Sequence, residues 1–210
     1  MRNFREYEIK VPIKDKTLYN KFNKIGCELI RKTIQIDEYY DFLPRFISKK
    51  DELLRCRAEL DAESRIFLNG EFSWKSGRRG TSENFEIRDD ISVPILDDSN
   101  LKLLRTLLEK IGFVKLAKLE KTRSRWILRN PIHNVEFEFD EQIIASGLNK
   151  PEKNIGGYLQ ATIETSEDIP DNDAKKILWA ILNQLGFYLN DFEPRSYIEI
   201  YLNLRPKKLG

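Results

Sequence analysis

Three features of the sequence predict an α+β fold built mainly from antiparallel strands. Segments of strict two-residue alternation recur along the chain. Three amphipathic segments each stop at a glycine followed by an apolar residue, and no long linker separates any of these pieces. The expectation is a single domain spanning residues 1–210.

The first segment, FREYEIKVPI, alternates and predicts a strand with Pro12 near its end. DKTLYNKFNKIG predicts a helix: Asp15 is a candidate cap, Leu18, Phe22 and Ile25 follow helical spacing, and Gly26 ends it. TIQIDEYYDF, ELLRCRAEL and EFSWKSG predict three further strands, and SGRRGTSE predicts a polar turn. Asp97 and Asp98 open the helix SNLKLLRTLLEKIG, which leads to a strand at KLAKLEKTRSRWIL, a turn at NPIHN and a strand at VEFEFDE. The loop GLNKPEKNIGG precedes the strand YLQATIET. The helix NDAKKILWAILNQLG then leads into SYIEIYLNL, whose alternation predicts a last strand. The three endings Ile25-Gly26-Cys27, Ile111-Gly112-Phe113 and Leu185-Gly186-Phe187 predict helix C-termini with a left-handed glycine and an apolar residue packing back. They suggest equivalent helices packed on one shared sheet.

Composition removes several classes. There are 36 basic and 34 acidic residues, a net charge of +2, which disfavours a dedicated binder of long nucleic acid. No run of 18 apolar residues occurs, so no transmembrane helix is expected. The opening MRNFREYEIKVPIKDK has no apolar core of a signal peptide. Cys27 and Cys56 are the only cysteines and read as two buried thiols in a reducing compartment. The expected setting is the cytoplasm, with no membrane partner and a monomeric or homodimeric state. His133 reads as a loop residue rather than a general base, and Trp74, Trp126 and Trp179 read as core.

The informative charge lies in its distribution. Alternate residues share one strand face. Lys10, Arg55, Arg57, Lys75, Lys121, Arg123 and Arg125 fall on polar faces together with Glu6, Glu8, Glu136, Glu138, Asp140 and Glu164. If the sheet closes, these seven bases and six acids line one interior. Arginine and lysine donate to phosphoryl oxygens, arginine often bidentately. Clustered carboxylates repel one another unless a cation neutralises them, and hard oxygen ligands suit Mg²⁺ or Mn²⁺. Bases beside a carboxylate-held metal form equipment for phosphoryl transfer.

Glu6-Tyr7-Glu8-Ile9-Lys10 resembles the ExExK opening of the CYTH superfamily, the triphosphate tunnel metalloenzymes, which include class IV adenylyl cyclases and thiamine and inorganic triphosphatases. Further similarities follow in order: Asp37-Glu38-Tyr39-Tyr40-Asp41, Arg55-Cys56-Arg57, Lys75, Lys121-Thr122-Arg123, Asp140 and Ser196-Tyr197. One departure is Thr162-Ile163-Glu164, where the family has a second ExE; Glu136 and Glu138 share Asp140's face and could supply the missing charge.

The resemblance implies a closed antiparallel β-barrel, a tunnel of about eight strands with helices packed outside. It implies that Arg55, Arg57, Lys75, Lys121, Arg123 and Arg125 bind a triphosphate, and that Glu6, Glu8, Glu138, Asp140 and Glu164 hold Mg²⁺ or Mn²⁺. Lys10 would position phosphate or hold Glu6 and Glu8. The implied activity is metal-dependent hydrolysis of a small triphosphate. The alternatives are a cyclase making cyclic AMP from ATP, or a module that binds triphosphate or polyphosphate without turning it over. Gly77-Arg78-Arg79-Gly80 reads either as a solvated turn or as a phosphate lid, and Glu83, Glu86 and Arg88 either extend the inward face or form a surface hairpin.

Overall fold

The computed structural model describes residues 5–14, 17–42, 47, 50–77, 89–129, 133–147, 150–165 and 170–203; the side chains of residues 5, 6, 164, 165 and 171 lie outside that description. So do Asp15, Arg78, Arg79, Gly80, Glu83, Glu86 and Arg88. The chain runs β1 (Arg5–Pro12), α1 (Leu18–Lys24), β2 (Glu28–Phe42), β3 (Leu53–Asp61), β4 (Phe67–Lys75), β5 (Asp90–Ile95), α2 (Asp98–Lys110), β6 (Phe113–Leu128), β7 (Val135–Gly147), β8 (Lys150–Asn154), β9 (Tyr158–Thr165), α3 (Asp171–Gln184) and α4 (Tyr197–Leu202). No helix among the described residues is long and apolar enough to cross a membrane.

All nine strands join one antiparallel sheet, ordered β1-β9-β7-β6-β2-β3-β4-β5, with β8 added to β7. The sheet is open. The expectation of a closed barrel is therefore corrected: β1 and β5 stand at opposite ends and do not pair among the described residues. Local chemistry explains both edges. β5 has six residues and carries Pro94, which has no N–H to give to a neighbouring strand. Along β1, the amide of Glu193 donates to the Lys10 carbonyl at 2.8 Å, so a return segment occupies that edge. Irregularities in the β2–β6 and β6–β7 ladders, one of them between Lys121 and Arg123, bend the long central strands.

The expected last strand is a helix. Ser196 caps α4: its hydroxyl accepts from the Glu199 amide, and the Glu199 carboxylate accepts from the Ser196 amide at 2.7 Å. This reciprocal box, spelled S-Y-I-E, outweighs the alternation that follows it. Two shorter elements, β5 and β8, have no counterpart in the sequence reading.

The dry strand faces carry the helices. Tyr7, Ile9 and Val11 of β1 join Leu18 and Phe22 of α1 and Leu178, Trp179 and Leu182 of α3 in one core, with Phe137, Phe139, Leu159, Ala161 and Ile163. Leu54, Cys56 and Ala58 of β3 pack with Leu101 and Leu108 of α2 in a second. In a third, Tyr197, Ile198 and Tyr201 of α4 cover Ala117, Leu119, Ile143 and Ala145. These four lie on the face that carries Lys121 and Arg123, at adjoining registers, so α4 fills one end of the charged face with apolar side chains. Trp126 and Trp179 are buried, Trp74 is partly buried against the α2 core, and Cys27 and Cys56 are buried free thiols.

Each glycine-ended helix stops as expected, with Gly26, Gly112 and Gly186 at φ of 82°, 100° and 90°. At Gly26 the amides of Cys27 and Gly26 donate to the carbonyls of Phe22 and Asn23, the double bond pattern of a left-handed helix cap. A Cβ there would meet nothing within 4 Å, so Gly26→Ala tests the backbone alone. We expect it to lower the unfolding free energy by about 1 kcal/mol in urea titration. Gly26→Asn should recover part of that loss.

Candidate active site

The opposite sheet face carries the charges, and two fully buried carboxylates organise it. Asp37 of β2 stands opposite Arg57 of β3. It accepts from Arg57 Nε at 2.6 Å and Nη2 at 3.0 Å, and Lys121 Nζ lies 3.3 Å away. Asp140 of β7 stands opposite Arg123 of β6 and accepts from its Nε and Nη2, both at 2.7 Å. Tyr197 at the start of α4 donates to Asp140 Oδ2 at 2.8 Å, and Lys121 Nζ lies 3.8 Å from that oxygen. Burial alone would raise the Asp37 carboxyl, but Arg57 and Lys121 outweigh it and hold the group well below the usual carboxylate range.

The neighbouring groups continue this lattice. Arg123 also donates to Glu138 and, at 2.7 Å, to Gln160 Oε1. Gln160 Nε2 in turn donates to Glu8 Oε1 at 2.7 Å. Arg125 reaches Glu138 at 3.2 Å and Glu59 at 2.6 Å. Burial would raise Glu138, but Arg123 and Arg125 bring it down to about 2. Burial and the adjacent Arg123 charge push the Lys121 ammonium down to about 8. On the far wall Arg55 pairs with Glu71 at 2.6 Å and Lys75 with Asp90 at 3.2 Å.

These groups enclose a cavity of about 270 Å³. Of the expected phosphate-binding residues, Arg55, Arg57, Lys75, Lys121 and Arg123 line it together with Lys10, so six cations meet there. Arg125 lies outside that lining, facing an adjoining cavity of about 330 Å³ that shares Arg57 and Glu71 with the first. The expected metal-binding residues divide. Glu8 and Glu138 line the cavity, as does Glu136. Asp140 lies behind the wall, fully buried, bound by Arg123 and Tyr197. Glu6 and Glu164 face each other in the β1–β9 ladder as backbone positions. Thr162 stands between Glu8 on β1 and Glu136 on β7, directly opposite both.

Among the described residues, no three of His, Cys, Asp and Glu come together as a group able to hold a metal ion. The chemistry available along β1, β9 and β7 is nonetheless hard oxygen, from Glu8, Thr162 and Glu136, which suits Mg²⁺ or Mn²⁺. His133 is not in the cavity lining.

A CYTH domain profile matches residues 5–197. The chain belongs to the CYTH family. It is 29% identical over 196 residues to a Methanocaldococcus jannaschii protein named "Putative adenylate cyclase MJ0240", covering 93% of this chain and 97% of that one. Among solved structures, the PH1819 protein of Pyrococcus horikoshii OT3 superposes with a TM-score of 0.71 at 27% identity, covering 95% of this chain and 99% of the other. A Hippeastrum protein named "Putative adenylyl cyclase HpAC1", described as having a dominant triphosphatase activity, shares the fold at a TM-score of 0.63 and 16% identity, covering 95% and 97%. Relative to this CYTH chain, sequence reading missed Asp37 and Tyr197 as site residues. Both were visible within quoted motifs, but nothing local shows which arginine or lysine each would meet.

Asp37 gives a direct test of the lattice. Asp37→Asn leaves Arg57 and Lys121 without their buried counter-charge and should cost about 3–5 kcal/mol at neutral pH. Because the wild-type carboxyl is held low, its contribution is full above about pH 4 and is lost as the pH falls through its own depressed pKa. Urea titrations at pH 7 and pH 3 should show the gap between wild type and variant closing in acid. An equal gap at both values would contradict this account.

Proposed function

We propose that this CYTH chain is a metal-dependent hydrolase that removes the terminal phosphate of a small triphosphate. Membership of a family with catalytic members supports triphosphate-handling activity in general. The observation that carries the finer reading is the cavity itself. Six cations converge on about 270 Å³, slightly below the roughly 300–1,000 Å³ of most ligand pockets. Besides charged, amide and hydroxyl groups, the described residues of its wall offer only Leu53 and two tyrosines. One of these, Tyr197, already presents its ring to two lysines, so a nucleobase would find little apolar surface.

In this reading Arg55, Arg57, Lys75, Lys121 and Arg123 grip the phosphate oxygens. Asp37, Asp140 and Glu138 aim Arg57, Lys121 and Arg123, while Glu71 and Asp90 hold Arg55 and Lys75. Glu8, Glu136, Glu6 and Glu164 are the carboxylates that would hold Mg²⁺ or Mn²⁺, with the Thr162 hydroxyl between Glu8 and Glu136. The bound ion would offset phosphate charge and acidify a water for attack. Water adds to the terminal phosphorus, the bond to the bridging oxygen breaks, and orthophosphate leaves with a diphosphate product. Clamped arginines suit this reaction because they need no reorganisation as charge shifts on the phosphates.

The name carried by the Methanocaldococcus jannaschii relative supports cyclization of ATP as the second reading. One panel separates the two: purified protein with Mg²⁺ or Mn²⁺, offered inorganic triphosphate, thiamine triphosphate and ATP. We expect orthophosphate; pyrophosphate with cyclic AMP from ATP would establish the cyclase instead. Glu8→Gln should depress turnover more than triphosphate binding. Arg55→Ala should raise KM about 10–100-fold, the loss of one charge-assisted hydrogen bond.

Thr162→Glu tests the carboxylate edge. It inserts a third carboxylate between two others whose Cβ atoms stand within about 4.5–5.5 Å of its own. Without divalent ions the variant should melt several degrees below wild type, and Mn²⁺ should restore it more than it shifts wild type. A variant indifferent to Mn²⁺ would remove Thr162 from the metal edge.

A further inference from the structure

We infer that Tyr197 is a positioning residue that seats Lys10 and Lys121 in the phosphate-binding cavity through the face of its ring. The inference rests on the triphosphate reading and gives Tyr197 a role in anion binding that the reading does not assign it. Tyr197 lies where the apolar packing of α4 meets the charged wall: it belongs to the third core and also lines the cavity. Lys121 Nζ lies 4.8 Å from the ring centroid and Lys10 Nζ 5.2 Å, both within the range of cation–π attraction. Its hydroxyl donates to Asp140 Oδ2 at 2.8 Å, the oxygen that Arg123 Nη2 also contacts. One side chain thus touches the holder of Arg123 and two further cations.

Both lysines also have a carboxylate in their surroundings: the Lys10 charge acts on Glu193, and Asp37 lies 3.3 Å from the Lys121 ammonium. A lysine side chain carries several free torsions, and each must be ordered for the ammonium to meet phosphate. The ring supplies a surface that attracts the ammonium without neutralising it, so its charge stays available to an anion. A carboxylate in the same place would consume that charge. The position of the ring is itself fixed. Tyr197 is the first residue of a helix closed by the Ser196–Glu199 box, and burial together with the Asp140 carboxylate keeps its phenol protonated as a donor. The Tyr158 ring packs against it with centroids 5.3 Å apart.

The test measures binding of inorganic triphosphate by calorimetry, with KM and kcat in parallel and a urea titration for each variant. Tyr197→Phe keeps the ring and should leave Kd within about threefold of wild type. Tyr197→Leu removes it and should raise Kd and KM about tenfold or more, with a smaller change in kcat. In Lys10→Met the leucine substitution should have a reduced effect, because part of the ring's action passes through Lys10. Equal Kd values for the Leu variant and wild type, with wild type binding well, would overturn the role of Tyr197 alone. No binding by wild type would overturn the triphosphate reading and this inference with it. Should the Leu variant fail to fold, Phe and Lys10→Met decide: a Phe variant as weak as Lys10→Met sinks the proposal, and near-wild-type binding by Phe beside a weak Lys10→Met supports it.

Discussion

The charged face of this protein depends on two buried carboxylates, Asp37 and Asp140. Removing a carboxylate from water costs several kcal/mol, and each is offset by a two-pronged arginine contact with Lys121 set near both. Such pairs are weak evidence for stability, since apolar packing could replace them. Their effect is on geometry. An arginine anchored along one edge of its guanidinium cannot sweep through other rotamers. Arg57 and Arg123 thereby reach the cavity wall with their remaining donors already oriented. A polyanion binding there loses less free energy to ordering than it would on a surface of mobile lysines.

The remaining charges follow from strand order. β2 and β6 bring Asp37 and Lys121 together at the centre, β3 and β4 carry Arg55, Arg57 and Lys75 to one side, and β1, β9 and β7 carry Glu8, Thr162 and Glu136 to the other. Glu8 and Glu136 thus stand apart from Arg55, Arg57 and Lys75, which keep carboxylate partners of their own in Glu71, Asp37 and Asp90. The acids that lie among the cations, Asp37, Glu71, Asp90, Glu138 and Asp140, are those whose oxygens arginines or lysines occupy.

Much of this was legible in the sequence because alternation is local. The faces of β1, β3, β6, β7 and β9 could be assigned residue by residue, and the three glycine-ended helices pack on the dry side as their spacing implied. What could not be read is pairing across long separations. Asp37 meets Arg57 and Asp140 meets Arg123 only because of register between strands, which no pentapeptide carries. The error at residues 197–202 has a different source. YIEIYL alternates well enough for a strand, but a six-residue segment is decided by its ends, and Ser196 with Glu199 supplies a helix start. Closure failed as an expectation for a similar reason: it depends on the two outermost strands, one short and bearing Pro94, the other bordered by the Glu193 segment.

An open sheet changes what holds the cavity together. In a closed barrel, backbone hydrogen bonds would fix the distance between Glu8 on β1 and Lys75 on β4. Here the path between them through the sheet runs across β9, β7, β6, β2 and β3, and among the described residues no ladder joins the outer edges of the two walls. At the apolar end Tyr197 reaches Asp140 of β7 and Gln160 of β9 from α4. A bound triphosphate would add the missing cross-link, its oxygens bridging the cations of β3 and β4 to the groups of β6 and β1. The apolar end needs no such ligand: there Tyr197, Ile198 and Tyr201 of α4 pack against Ala117 and Leu119 of β6 and Ile143 and Ala145 of β7, so the helix holds that end of the trough by apolar burial.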